Sequence, residues 1–280
     1  MKKLMFAAAA LAVGVAVADV TSANIVGYMT PTTVEDDFNM ITIPFCNVGG
    51  ANIDFCNDIK FTGVVSGATA TECDFVHVYI NGDGFYYFYY HHDNKQPGEK
   101  GHKEDGWYTT DNEDIADYFP DGLPLGTAMW YEAYPYAERS EPLSVTFSGE
   151  VEGAESVTLE NLASDDFNMI ANPYPVAWDP NNSDDVEFSN IVTGATPTEC
   201  DFIHAYINGD GFYYFYYHHD NKQPGEKGHK EDGWYTTDNE DIADYFPDGI
   251  PAGTAMWYEA NPEAERAGDL GITFFNTISK

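Results

Sequence analysis

The sequence predicts an all-β protein of two tandem, similar β-sandwich or β-barrel-like domains, on three observations. Residues 79–122 recur unchanged as residues 206–249, which is 44 consecutive positions at an offset of 127. Self-similarity at a fixed period marks one packed unit set beside another, so the chain reads as an internal duplication in which any site in the copied block occurs twice. Inside the block, runs of aromatic and β-branched residues alternate with Gly, Asn and Asp, and no long stretch shows helical periodicity.

Lys2 and Lys3 precede an apolar stretch from Leu4 to Val17 that closes with Ala16-Val17-Ala18. A charged start, an apolar middle and a small-residue end spell a secretory signal peptide over residues 1–18, with the mature chain starting at Asp19. The expected location is therefore outside the cytoplasm, at the cell surface, in the extracellular space or in the periplasm. Residues 19–33 read as an N-terminal strand and linker, 34–151 as the first domain and 152–280 as the second. The copies open at Phe38-Asn39-Met40-Ile41 and Phe167-Asn168-Met169-Ile170, an offset of 129, so a two-residue indel separates 46–58 from its counterpart 175–185. Such divergence is expected of a surface loop.

At the start of the copied block, Phe75–Ile80 and residues 85–90 flank Asn81-Gly82-Asp83-Gly84 and predict a hairpin, because Asn and Gly accept the positive φ of a tight turn. Phe85, Tyr87 and Tyr89 alternate with Tyr86, Phe88 and Tyr90, so both strand faces are aromatic and both are expected to be buried. A polar loop follows over 91–106, then a strand at 107–110 and one helical turn within 111–119, stopped by Pro120. Strands at 128–131 and 143–147 complete the first copy, and strands at 255–258 and 270–274 complete the second. The apolar run Ile25, Val26, Gly27 and Tyr28 precedes the first copy, making three flanking strands for two domains. It either protects an edge of its own domain or inserts into a neighbouring molecule and propagates a filament.

Hydrophobic residues make up 43% of the chain, with 18 Phe and 20 Tyr, which is ample for packed cores. Against 47 acidic residues stand 12 basic ones, and loss of Lys2 and Lys3 takes the formal charge from −35 to −37. That balance argues against nucleic acid as a partner, since phosphate binding needs a basic surface. After the signal peptide no apolar run reaches the ~20 residues of a membrane span.

The pattern Ala23-Asn24-Ile25-Val26-Gly27-Tyr28, then Phe38-Asn39-Met40-Ile41 with Pro44-Phe45, resembles a poorly characterised group of exported, duplicated β-rich repeat proteins of planctomycete and verrucomicrobial bacteria. So do Asn81-Gly82-Asp83-Gly84-Phe85-Tyr86, Gly106-Trp107-Tyr108, Gly126-Thr127-Ala128-Met129-Trp130-Tyr131 and Ser148-Gly149-Glu150-Val151. The likeness covers nearly the whole mature chain. It implies a compact β-rich repeat of the cell exterior and no activity.

Four cysteines in an exported chain invite disulfides, and Cys46 with Cys56, both confined to the first copy, form the economical pair. His91, His92, Asp93 and His102, copied as His218, His219, Asp220 and His229, place metal-binding side chains in one loop, without a recognised ligand spacing. Asp111, Glu113 and Asp114, with Asp238, Glu240 and Asp241, offer oxygen donors for calcium. The run Asp179, Asn181, Ser183 and Asp185 does the same but lacks the glycine and distal glutamate of an EF-hand. Tyr86, Tyr90, Trp107 and Trp130, copied as Tyr213, Tyr217, Trp234 and Trp257, are candidate platforms for sugar rings, one set in each domain. No nucleophile elbow, zinc-protease helix or phosphate loop occurs, so no catalysis is expected. The expected role is structural or adhesive, with self-assembly or a surface polysaccharide as the partner.

Overall fold

A computed structural model describes residues 26–31, 33, 37–93, 95–100, 102–136, 138–207, 211–220, 222, 224–227 and 229–278. The signal-peptide segment and Ile25 lie outside the described residues. In the first half, β1 (Val26–Met29), β2 (Phe38–Thr42), α1 (Phe55–Asp58), β3 (Ile59–Thr62), β4 (Phe75–Ile80), β5 (Gly84–His91), β6 (Gly106–Tyr108), α2 (Ile115–Tyr118), β7 (Ala128–Glu132) and β8 (Ser144–Glu150) follow in order. The second half runs β9 (Ser156–Thr158), β10 (Phe167–Ala171), β11 (Val186–Ser189), β12 (Phe202–Ile207), β13 (Gly211–His218), β14 (Gly233–Thr236), α3 (Ile242–Tyr245), β15 (Ala255–Glu259) and β16 (Gly271–Phe275). The chain is all-β. Among the described residues no helix is long and apolar enough to cross a membrane.

Four antiparallel sheets result. The first half forms a five-stranded sheet, β2-β7-β4-β5-β6, and a three-stranded one, β1-β8-β3; the second half forms β10-β15-β12-β13-β14 and β9-β16-β11. The predicted hairpin is present, with Ile80 opposite Gly84 and a three-residue loop between them. Gly82 at φ 82° and Gly84 at φ 100° supply the left-handed backbone that this loop requires.

Each half has its own core, and both of its sheets contribute. Ile41, Val76, Val78, Phe88, Trp107, Met129 and Tyr131 from one sheet meet Ile59, Val145 and Phe147 from the other. The corresponding core holds Ile170, Ile203, Phe215, Trp234, Met256 and Tyr258 against Val186, Ile272 and Phe274. Inside each core a carboxylate is fully coordinated. Asp74, with no exposed surface, binds the Arg139 guanidinium at 2.7 and 3.0 Å and accepts from Tyr131 Oη at 2.5 Å, Val65 N at 2.8 Å and Tyr134 N at 2.7 Å. Asp201 is held likewise by Arg266, Tyr258, Val192 N and Asn261 N. Every oxygen is satisfied, which is what makes a charge tolerable in an apolar interior.

One of the two readings of the flanking strand holds, and two expectations change. The flanking strand is paired within its own chain, Val26 to Met29 of β1 lying antiparallel to Glu150 to Phe147 of β8. Its counterpart β9 pairs with β16, so the flanking strands are even in number, and β1 belongs to the first half's sheet rather than to a linker. The divergent stretch is not merely a loop: Ile53 and Phe55 are buried, and so is Trp178 in the second half. Ile53 exchanges backbone hydrogen bonds with Leu123, and Trp178 does the same with Ile250, so different side chains serve one structural position. Cys46 and Cys56 are free thiols, as are Cys73 and Cys200. Cys46 Sγ is buried and turned to the Glu150 carbonyl at 3.3 Å, whereas Cys56 lies exposed in α1.

Candidate functional site: an aromatic groove between the halves

Residues alternate across a strand, so the rings of β4, β5 and β7 that do not enter the core of the first half project from the opposite face of that sheet. That face meets its equivalent from the second half. Met40 and Ala128 pack with Met169, Ala171, Tyr206 and Ala255, backed by Phe38, Tyr79, Phe85, Phe212 and Trp257. The contact is reciprocal. Tyr79 Oη donates to the Phe167 carbonyl at 2.8 Å, and the matching Tyr206 Oη donates to Asp37 Oδ2 at 2.5 Å. Both inner sheet edges are covered: Thr42 N of β2 donates to Gly253 O at 3.0 Å, and the Asn81 amide meets β10 at Met169.

Where the two sheets diverge, a groove of about 390 Å³ opens, lined by Tyr79, Phe85, Phe167, His204, Phe212, Tyr214 and Trp257. Ring contacts continue through it from Tyr87 to Phe85 (5.7 Å between centroids), Trp257 (5.6 Å), Phe167 (5.9 Å), His204 (5.6 Å) and Tyr214 (4.7 Å). Tyr87 and Tyr214 are each about half exposed, at 51% and 50%. A carboxylate stands beside a histidine at both ends, Glu132 Oε2 at 3.1 Å from His77 Nε2 and Glu259 Oε2 at 2.8 Å from His204 Nε2. Burial lowers the His77 pKa to about 4. Burial also lowers that of His204, against the opposing pull of Glu259. Both imidazoles are therefore neutral at neutral pH and leave the carboxylate charge uncompensated.

Of the eight candidate sugar platforms, only Trp257 lines this groove, and Trp130 adjoins it with its ring 6.0 Å from Phe212 and 6.5 Å from Trp257. Trp107 and Trp234 are core residues, at 4% and 0% exposure. Tyr86, Tyr90, Tyr213 and Tyr217 pack against the same cores. The eight rings expected as two sets are thus divided between the two cores and a single groove lined by both halves. Sequence reasoning missed Tyr79, Phe85, Phe167, Tyr214 and the His–Glu pairs; the aromatic face of β5 was the signal, but nothing in it names the facing partner.

The polar loop folds onto the sheet edge. His91 Nε2 and His102 Nδ1 approach Asp93 at 3.5 and 3.7 Å, while His92 turns away to Asp105 at 2.8 Å. The second copy repeats this with His218, His229 and Asp220, and with His219 and Asp232. Lys103 Nζ lies 3.4 Å from the Tyr108 ring centroid and Lys230 Nζ 3.2 Å from that of Tyr235, so cation–π contacts also tie the loops down. Among the described residues, no group of three or more His, Cys, Asp or Glu is placed to hold a metal ion. Four of the six acidic residues at 111–114 and 238–241 accept hydrogen bonds. Asp114 and Asp241 cap the helical turns α2 and α3 by accepting from Ala116 N and Ala243 N, both at 2.9 Å, and Glu113 and Glu240 accept from Tyr118 and Tyr245. Asp179 accepts from Asn181 N at 2.9 Å, and Asp185 from Asp179 N at 3.0 Å, closing that run on itself.

No family model, curated protein or solved structure matches the chain.

Proposed function

We propose that this is an exported, non-catalytic adhesive or structural protein of the cell surface or extracellular matrix that holds a surface glycan in the groove between its halves. On this reading the halves are tandem sandwich-like domains derived from an internal duplication. The groove is the observation that supports it: Trp257, Tyr79 and Tyr214 offer flat apolar faces with polar edges, the chemistry that grips a sugar ring. β1 pairs with β8 of its own chain, the arrangement in which the flanking strand protects its own sheet edge.

Calorimetric titration of the full chain with soluble surface polysaccharides tests the proposal. Saturable binding at one oligosaccharide per chain is expected. Two per chain would restore separate sites, and no heat across a broad panel would sink glycan binding. Negative-stain electron microscopy of the same sample is expected to show discrete particles, and filaments would return self-assembly to the leading place.

A further inference from the structure

The groove's charge is as informative as its rings. Among the described residues no Lys or Arg lines it, while Glu259 lies 2.8 Å from the groove residue His204 and Glu132 stands in the same relation to His77 across the aromatic band. Both carboxylates are partly open to solvent, with side-chain exposures of 37% and 42%. Around them the whole chain carries a formal charge of −35. Aromatic faces attract cations through the ring quadrupole, and a strongly acidic surface repels anions while raising the local concentration of cations. Building on the glycan reading, we propose that the groove selects an amine-bearing sugar chain, its ammonium groups seated on the Trp257 and Tyr214 faces beside Glu259, over neutral or carboxylated glycans.

Three oligosaccharides of equal length separate the possibilities by calorimetry on the full chain: an N-acetylated glucosamine oligomer, its deacetylated form and an oligogalacturonate. The deacetylated oligomer is expected to bind at least about tenfold more tightly than the acetylated one at low salt, with the gap shrinking as salt rises and the oligogalacturonate silent. Glu259→Gln is expected to narrow that gap, weakening the deacetylated oligomer more than the acetylated one. Equal affinity for the acetylated and deacetylated forms would overturn charge selection and leave glycan binding standing, whereas silence from all three would remove both. Trp257→Ala guards against adsorption to the acidic surface at large. Undiminished binding of the deacetylated oligomer by that variant would place the contact outside the groove and overturn the proposal.

Discussion

The side-chain amide of Asn81 clasps the backbone of Met169, accepting from its N–H and donating to its carbonyl, both at 3.2 Å. A turn residue of one half thereby completes the inner edge of β10 in the other. Each such bond contributes about 1 kcal/mol net, so Asn81→Ala is expected to cost about 2 kcal/mol. Hydrogen exchange is the sensitive measurement. The Met169 amide should exchange faster in the variant while core amides of β4 and β5 keep their protection.

Removing one member of the Asp74–Arg139 pair leaves the other charged in an apolar interior, since the Arg139 side chain is only 4% exposed. Asp74→Asn is expected to destabilise by about 3–5 kcal/mol in urea melts. The double variant Asp74→Asn with Arg139→Met should lose less than Asp74→Asn alone, because no charge is then stranded. A loss under 1 kcal/mol for the single variant would mean that the pair is not buried as described.

His77 titrates near 4 when folded, against 6.5 for the free side chain, because burial disfavours the imidazolium. Between those values the unfolded chain binds a proton that the folded one does not, so stability is whole above pH 6.5 and falls as pH drops toward 4. In His77→Gln the fall over that window should be shallower. Identical slopes in guanidinium melts at pH 7, 6 and 5 would show that His77 is solvated.

Cys56 is exposed, yet partial desolvation together with the Asp114 and Asp54 carboxylates pushes its thiol up to about 11. Alkylation of the folded protein should add a single label, at Cys56, slowly at pH 7 and about tenfold faster per pH unit up to pH 9. Four labels should appear after denaturation without reductant, matching four free thiols. Fewer would reveal a disulfide.

The hairpin was legible because Asn81 to Gly84 admit few other backbones, and the aromatic runs beside them match the strand period. Strands β3 and β9 were not. Val157 is the single apolar residue of β9, so that strand exists through pairing with β16 rather than through its own pattern. Trp178 stayed hidden for another reason, since its partner Ile250 lies far along the chain and proline-rich flanks resemble a loop. The groove was half legible. Alternation shows that β5 has two aromatic faces but not that one turns inward and the other meets a second sheet. The acidic run at Asp111 to Asp114 was legible as a cluster of oxygen donors, but not that the Asp114 carboxylate also accepts from the first turn of α2.

The unequal bonds of Tyr79 and Tyr206 have a consequence for what a groove of this kind can read. A two-fold contact between separate identical subunits has no direction: whatever it recognises at one end it must recognise at the other. Here both partners lie on one chain, and the two ends already differ, one tyrosine holding a backbone carbonyl at Phe167 and the other a carboxylate at Asp37. Covalent tethering lets a symmetric surface acquire polarity, and a sugar chain, with one reducing and one non-reducing end, is a ligand for which polarity matters.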